Sequence, residues 1–396
     1  MKKYKNIARL LIICGALSLF VSNGVLAMSA KPEGPKKYIR VAISKGKKSV
    51  KLYLKGRYSI YTLHTNELLK DGSNLKTNVY PLAGGIKLGK EDLKVFGIRI
   101  ATARDASIVI NGRKFRGIMD IIREADGRLL LVNHVDIEEY LCGVLRHEVP
   151  HHWPMETLKA QAVVSRTFAL YQHKSNKEMD YDLTNTTFSQ VYGGAAGEKR
   201  KTNKAVIETY GEVLTYNGTI FPAYFHACCG GHTQDAGRLW KTNLPVLKGQ
   251  TCGYCRGTPH YLWKRKVSLW KIRGHLNDNG YKIGKILSIK AIDYDASGRV
   301  ENLKVCHSGG EAVISAYRFR IIVSPTLIKS SKFKIKTKSD YAYFEGKGWG
   351  HGVGMCQWGA FGMAMKRYKK EDILRFYYPS SETKNIWSED ANLKLF

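Results

Sequence analysis

Apolar and polar positions alternate in short runs from Tyr38 to about Val132. KYIRVAIS, KSVKLYLKG, YSIYTL, LKVFGIRIAT, ASIVING, KFRGIMDII and RLLLVNHV are strand-sized, with Gly, Asn, Asp or Ser near most breaks. Gly56, Asn111-Gly112 and Asp126-Gly127 read as turns. Residues 38–130 are therefore expected to form a small β-rich region, mostly antiparallel. The period changes near Asp136. In DIEEYLCGVLRHE, Ile137, Tyr140, Leu141, Val144 and Leu145 fall on one helical face. Pro150 interrupts, and Pro154 suits the first position of a second, longer helix over METLKAQAVVSRTFALYQHK. Its small residues Ala160, Ala162, Ser165 and Ala169 permit close packing against a neighbour. Residues 180–330 are mixed and largely strand-like. A glycine-rich stretch follows at 346–366, and a final helix is expected over Lys370–Tyr377. The pattern gives an α+β class: a β-rich region at 38–130 ahead of one mixed domain at 131–396.

The N-terminus changes the setting. Lys2, Lys3, Lys5 and Arg9 precede an apolar run from Leu10 to Val21, and Val25-Leu26-Ala27 offers small residues for a signal peptidase. Residues 1–27 read as a secretory signal and 28–37 as a linker, with a retained membrane anchor as the second reading. The chain is expected to be exported to the bacterial cell envelope. Its net charge of +31 falls to +27 without the signal. Such a field favours polyanions. After export these are wall polymers or anionic lipid head groups, and nucleic acid is not an expected partner.

Two features invite a chemistry they do not support. His147-Glu148-Val149-Pro150-His151 has the letters of a zinc-peptidase motif, which needs both histidines on one face of an intact helix. Pro150 ends that helix and turns His151 elsewhere. Cys356, in GMCQWG, reads as a small buried cysteine in a turn rather than as a nucleophile. Glu148 is the stronger candidate. A carboxyl buried at a helix end beside Trp153 resists ionisation, and a protonated carboxyl at neutral pH can protonate a glycosidic oxygen. From the residue alone, a cap or an ion pair at the helix end is the favoured reading.

Longer motifs decide between these. VDIEEYLCGVLRHEVPHHWPMETLKAQAVVSRTFAL (135–170) and GKGWGHGVGMCQWGAFGMAMKRYKKEDILRFYYP (346–379) resemble the signature of the stage II sporulation protein D family, the SpoIID/LytB domain. QVYG (190–193), HACCGGHT (226–233) and TPHYLW (258–263) are similar to family segments in the family's order. The resemblance covers about 130–380. It implies a peptidoglycan lytic transglycosylase acting on glycan strands stripped of stem peptides, with Glu148 as acid and base and an anhydro-muramic product. It also suggests hydrogen bonds to sugar from Arg166, Gln190, Tyr192, His351 and Gln357, and flat faces for sugar rings on Trp349, Trp358 and Tyr192, with a structural role as the alternative reading of each. The alternatives are a wall-binding module that enhances a partner amidase, and a basic protein that holds anionic polymers.

The chain departs from the family at one point. The sporulation members' Cys-x5-Cys zinc pair falls here on Leu183 and Ser189, so that site is expected to be absent. A different cluster exists, with Cys228, Cys229, Cys252 and Cys255 accompanied by His226, His232 and His260. Two readings stand: a structural zinc held by Cys229, Cys252, Cys255 and His226, or disulfides formed in an oxidising compartment.

Overall fold

The alternating segments of the first hundred residues pair into one sheet. Its strands are β1 (Tyr38–Lys47), β2 (Val50–Thr62), β3 (Leu68–Leu82), β4 (Gly85–Leu88), β5 (Glu91–Leu93), β6 (Gly97–Thr102), β7 (Ser107–Ile110), β8 (Arg113–Phe115), β9 (Ile118–Arg123) and β10 (Leu129–Asp136). The short β11 (Leu183–Thr184) adds to the far edge, beside β1. The order is β11-β1-β10-β9-β6-β2-β3-β4-β5, with β7 and β8 hairpinned off β2. The computed structural model describes residues 36–388 except Arg104, Thr187, Phe188 and Lys241. The expected signal segment and all but the end of the linker lie outside the described residues. No helix among the described residues is long and apolar enough to cross a membrane.

The chain is α+β, as its periodicities indicate. The Asn111-Gly112 turn joins β7 to β8, with both residues at positive φ. Gly56 departs from the expectation. It lies inside the continuous strand β2, at an irregularity between Leu54 and Arg57, and bends the strand without ending it. The polar strand β3 was not evident in the sequence, because most of its side chains face solvent and its apolar residues do not alternate.

The boundary expected at 130/131 falls inside β10. Asp136 ends that strand and also caps α1 (Ile137–Glu148), its carboxylate accepting the N–H groups of Glu138 and Glu139. The sheet, α1 and part of α2 (Met155–Ser175) then share one core, from Ile39 through Ile137, Tyr140 and Leu158 to Val213. Residues 38–130 thus form one layer of a larger core. The other side of α2, with Ala160, Val163 and Val164, packs in a second core with Ala360, Ile373 and Tyr378. The small residues of α2 permit this two-sided burial. A third core lies within 263–344, around Phe319 and Phe344, under the sheet of Leu262–Ser268, Phe333–Lys338 and Tyr341–Lys347. The final helix spans Lys370–Tyr377.

The glycine-rich stretch makes close backbone approaches. Gly354 has φ +68°, and a Cβ there would overlap the Tyr224 carbonyl oxygen. Gly354→Ala is therefore expected to destabilise the fold by at least about 1 kcal/mol. Urea denaturation measures this, and an unchanged midpoint would contradict the packing described.

Candidate active site

Glu148 is the last residue of α1. Val149 leaves the helix in an extended conformation (φ −136°, ψ 146°), and Pro150 has no N–H with which to continue it. The helix thus ends at the residue that carries the carboxyl. Glu148 is half-buried, and its Oε1 accepts the Val191 N–H at 3.0 Å. Burial raises the carboxyl from 4.5 to about 7, outweighing the Val191 bond, which favours the ionised form. The group is poised near neutrality, where a carboxyl can both give and take a proton.

The zinc-peptidase reading does not survive the geometry. The His147 ring rests so close to Gly193 and Gly197 that a Cβ on either would overlap it, while His151 is exposed in the turn after Pro150. Neither belongs to a group of metal-ligating side chains among the described residues.

Each candidate sugar-binding residue has a partner inside the protein. Arg166 has no exposed surface. It pairs with Glu138 through Nε at 2.8 Å and Nη2 at 2.6 Å, and its Nη1 donates to Glu212 O at 2.9 Å. It locks α2 to α1 and is not free to reach a ligand. Gln190 is equally buried. It accepts the Tyr140 hydroxyl at 3.0 Å and donates to Ser165 O at 3.2 Å. Tyr192 donates its hydroxyl to Asn133 Oδ1 at 3.0 Å and packs its ring on Tyr140, so its face is not open to a sugar. Gln357 donates to Gln161 Oε1 at 3.2 Å, and Gln161 donates to Ser165 Oγ at 3.0 Å. His351 accepts the Val353 N–H on Nδ1 and donates from Nε2 to Phe225 O at 2.9 Å. Burial pushes His351 down to about 3, so it is neutral.

These placements share a cause: each side chain directs polar atoms to partners inside the protein, as burial requires. Gln190 and Gln357 belong to a larger scaffold. Tyr140, Gln190, Ser165, Gln161 and Gln357 make one hydrogen-bonded chain through α1, α2 and the helix Gln357–Met365. Gln190 and Tyr192 are pinned on either side of Val191, which holds the Val191 N–H on Glu148.

Aromatic rings adjoin this scaffold. Trp153 packs on Trp358 at 4.8 Å and on Phe361 at 5.0 Å. Trp358 neighbours His260 at 6.1 Å, and His260 meets Trp349 at 4.6 Å. Lys329 stands 4.8 Å from the Trp349 ring. Trp153 is buried, whereas Trp358, Phe361, His260 and Trp349 keep partial exposure. The expected apolar faces therefore rest on Trp349 and Trp358.

The cysteine cluster also differs from expectation. Cys229, Cys252, Cys255 and Cys356 bring their sulfurs within 4.8 Å of one another, and His226 is not among them. His226 is buried with its Nδ1–H on Val353 O at 3.0 Å. The Cys229 and Cys255 sulfurs lie 3.4 Å apart, too far for a disulfide, and the described cysteines are free. Cys356 lies about a hundred residues beyond the other three, so spacing along the chain could not reveal it. Glu138, the partner of Arg166, was missed for the same reason.

A poised helix-end carboxyl held by a buried polar scaffold defines a candidate acid/base centre on an α+β frame. Residues 125–216 match the family model described as Stage II sporulation protein, and 245–354 match a Domain of unknown function (DUF8618). An uncharacterized protein of Brachyspira hyodysenteriae is 34% identical over 86% of this chain and 91% of its own length. Stage II sporulation protein D of Bacillus subtilis is 28% identical over 67% of this chain and 78% of its own. The amidase enhancer of Bacillus subtilis is 29% identical over 79% of this chain, which spans half of that relative. The chain belongs to the stage II sporulation protein D family.

Proposed function

We propose that this chain is an exported lytic transglycosylase that cleaves peptidoglycan glycan strands, preferring strands stripped of stem peptides, with Glu148 as acid and then base. The observation that carries the reading is the Glu148 carboxyl, held near pKa 7 at the end of α1. Protonated, it gives its proton to the bridging oxygen as the bond from muramic C1 to that oxygen breaks. The carboxylate then takes the proton of the same sugar's 6-hydroxyl, whose oxygen bonds to C1 and closes the anhydro ring. The proton returns to Glu148 and no water is consumed. The Val191 N–H supports the carboxylate between the two steps, and Trp349 and Trp358 offer flat faces to sugar rings.

The pH dependence follows from the sign of the shift. The active form of free enzyme is protonated, so kcat/KM should fall about tenfold per pH unit above about 7. A profile flat from about pH 5 to 9 would remove Glu148 as the acid. The same group affects stability. The folded state binds its proton more tightly than the unfolded chain, so stability should fall as pH rises from 4.5 through about 7, by roughly 1–3 kcal/mol. Glu148→Gln should abolish that fall.

A second reading is a wall-binding module that enhances a partner amidase. It is favoured by the inward commitment of Arg166, Gln190, Tyr192, His351 and Gln357, and by similarity to the amidase enhancer. Incubating denuded strands with the chain alone, and intact sacculi with the chain plus an N-acetylmuramoyl amidase, separates the two. Strand cleavage by the chain alone supports the enzyme. Faster peptide release without strand cleavage supports the module.

A further inference from the structure

We propose that Cys229, Cys252, Cys255 and Cys356 bind one zinc ion as a structural tetrathiolate centre, independently of what Glu148 does. Zinc held by four thiolates has metal–sulfur distances of about 2.3 Å, which places the sulfurs about 3.8 Å apart. The four sulfurs already lie within 4.8 Å of one another in a buried site, so small rotations close the tetrahedron. Four protein ligands and no open position are the pattern of a structural site rather than a catalytic one. Each thiol releases its proton to solvent as its bond to the metal forms.

Two further observations point to negative charge on these sulfurs. Cys356 Sγ receives the N–H groups of Cys229 and Gly359, both at 3.2 Å, and Tyr377 Oη lies 3.2 Å from Cys252 Sγ. Thiols are weak acceptors, whereas metal-bound thiolates are oriented and stabilised by such donors. The second is Arg299, which has no exposed surface. Among the described residues its guanidinium bonds only neutral oxygens: Cys229 O and His232 O at 2.9 Å, and Ser297 Oγ at 2.8 Å. Its Nε has no partner. A buried cation needs a countercharge nearby. Asp295 supplies part of this, and a tetrathiolate dianion beside the Cys229 backbone supplies the rest.

The centre would fasten three separate segments. Cys229 comes from HACCGGHT, Cys252 and Cys255 from one loop, and Cys356 caps the helix that carries Gln357 and Trp358. Through that helix it would hold Trp358 against Trp153, five residues beyond Glu148. Its role is positioning, not catalysis.

Elemental analysis of the full chain, purified under reducing conditions, should give about one zinc per chain. Cobalt in its place should show the sulfur-to-cobalt charge transfer and tetrahedral bands of four thiolates. Cys356→Ser should lose the metal, whereas His226→Gln and Cys228→Ser should keep it. If Cys356→Ser does not fold, the wild-type cobalt spectrum decides, because three thiolates and one imidazole give a distinguishable spectrum. Protein that stays metal-free after zinc is supplied, peptide mapping that joins Cys252 to Cys255 by a disulfide in every molecule, or metal loss in His226→Gln would each overturn the proposal.

Discussion

Replacing Glu148 by glutamine is expected to lower glycan cleavage by at least about two orders of magnitude while strand binding persists. General acid/base catalysis contributes roughly 10²–10⁴-fold, and here one carboxyl serves both steps. Glutamine keeps the shape and an oxygen for the Val191 N–H, which Glu148 accepts at 3.0 Å, but it cannot exchange a proton. The scaffold through Gln190, Ser165, Gln161 and Gln357 does not involve the carboxyl, so the rings of Trp358 and Trp349 stay in place. Turnover of denuded strands and sedimentation with them should therefore separate. Near wild-type cleavage by Glu148→Gln would show that another group moves the proton.

Arg166→Met should cost about 3–5 kcal/mol of stability, the magnitude of breaking a buried pair and leaving one charge behind. The stranded charge is Glu138, which also accepts the Gly211 N–H at 3.1 Å. Removing both charges in Arg166→Met with Glu138→Leu should cost less than the sum of the single changes, because no unpaired ion remains. Urea denaturation of the four proteins in this cycle provides the measurement. A direct role for Arg166 in sugar binding predicts something different: raised KM in a variant whose stability is unchanged. The absence of exposed surface on Arg166 argues for the loss of stability.

Local signals in the sequence were sufficient for α1, α2 and the last helix, but not for Arg200–Glu208, Leu269–Asp278, Ala316–Val323 or Gln357–Met365, which lie in stretches that read as strand-like or glycine-rich. The apolar face of α1, its end before Pro150 and the helix Lys370–Tyr377 follow from period and proline alone. The position of Glu148 at the helix end follows as well. Long-range partners are not encoded locally. Arg166 and Glu138 are 28 residues apart, Gln357 and Gln161 are 196 apart, and a polar side chain gives no sign of which distant group will satisfy it. The family pattern singled out Arg166, Gln190, Tyr192, His351 and Gln357, but only the folded arrangement shows which groups inside the protein they bond. The strand β3 was hidden because it is held by backbone pairing with β2 rather than by an apolar face of its own.

The most direct measurement is mass spectrometry of the products formed when the chain digests denuded glycan strands in ¹⁸O-labelled water. Intramolecular attack by the 6-hydroxyl predicts anhydro-muramic ends without label, absent when Glu148→Gln is used. Reducing ends that carry ¹⁸O would mean that water is the nucleophile, and intact strands with the wild-type chain would mean that it does not cleave glycan.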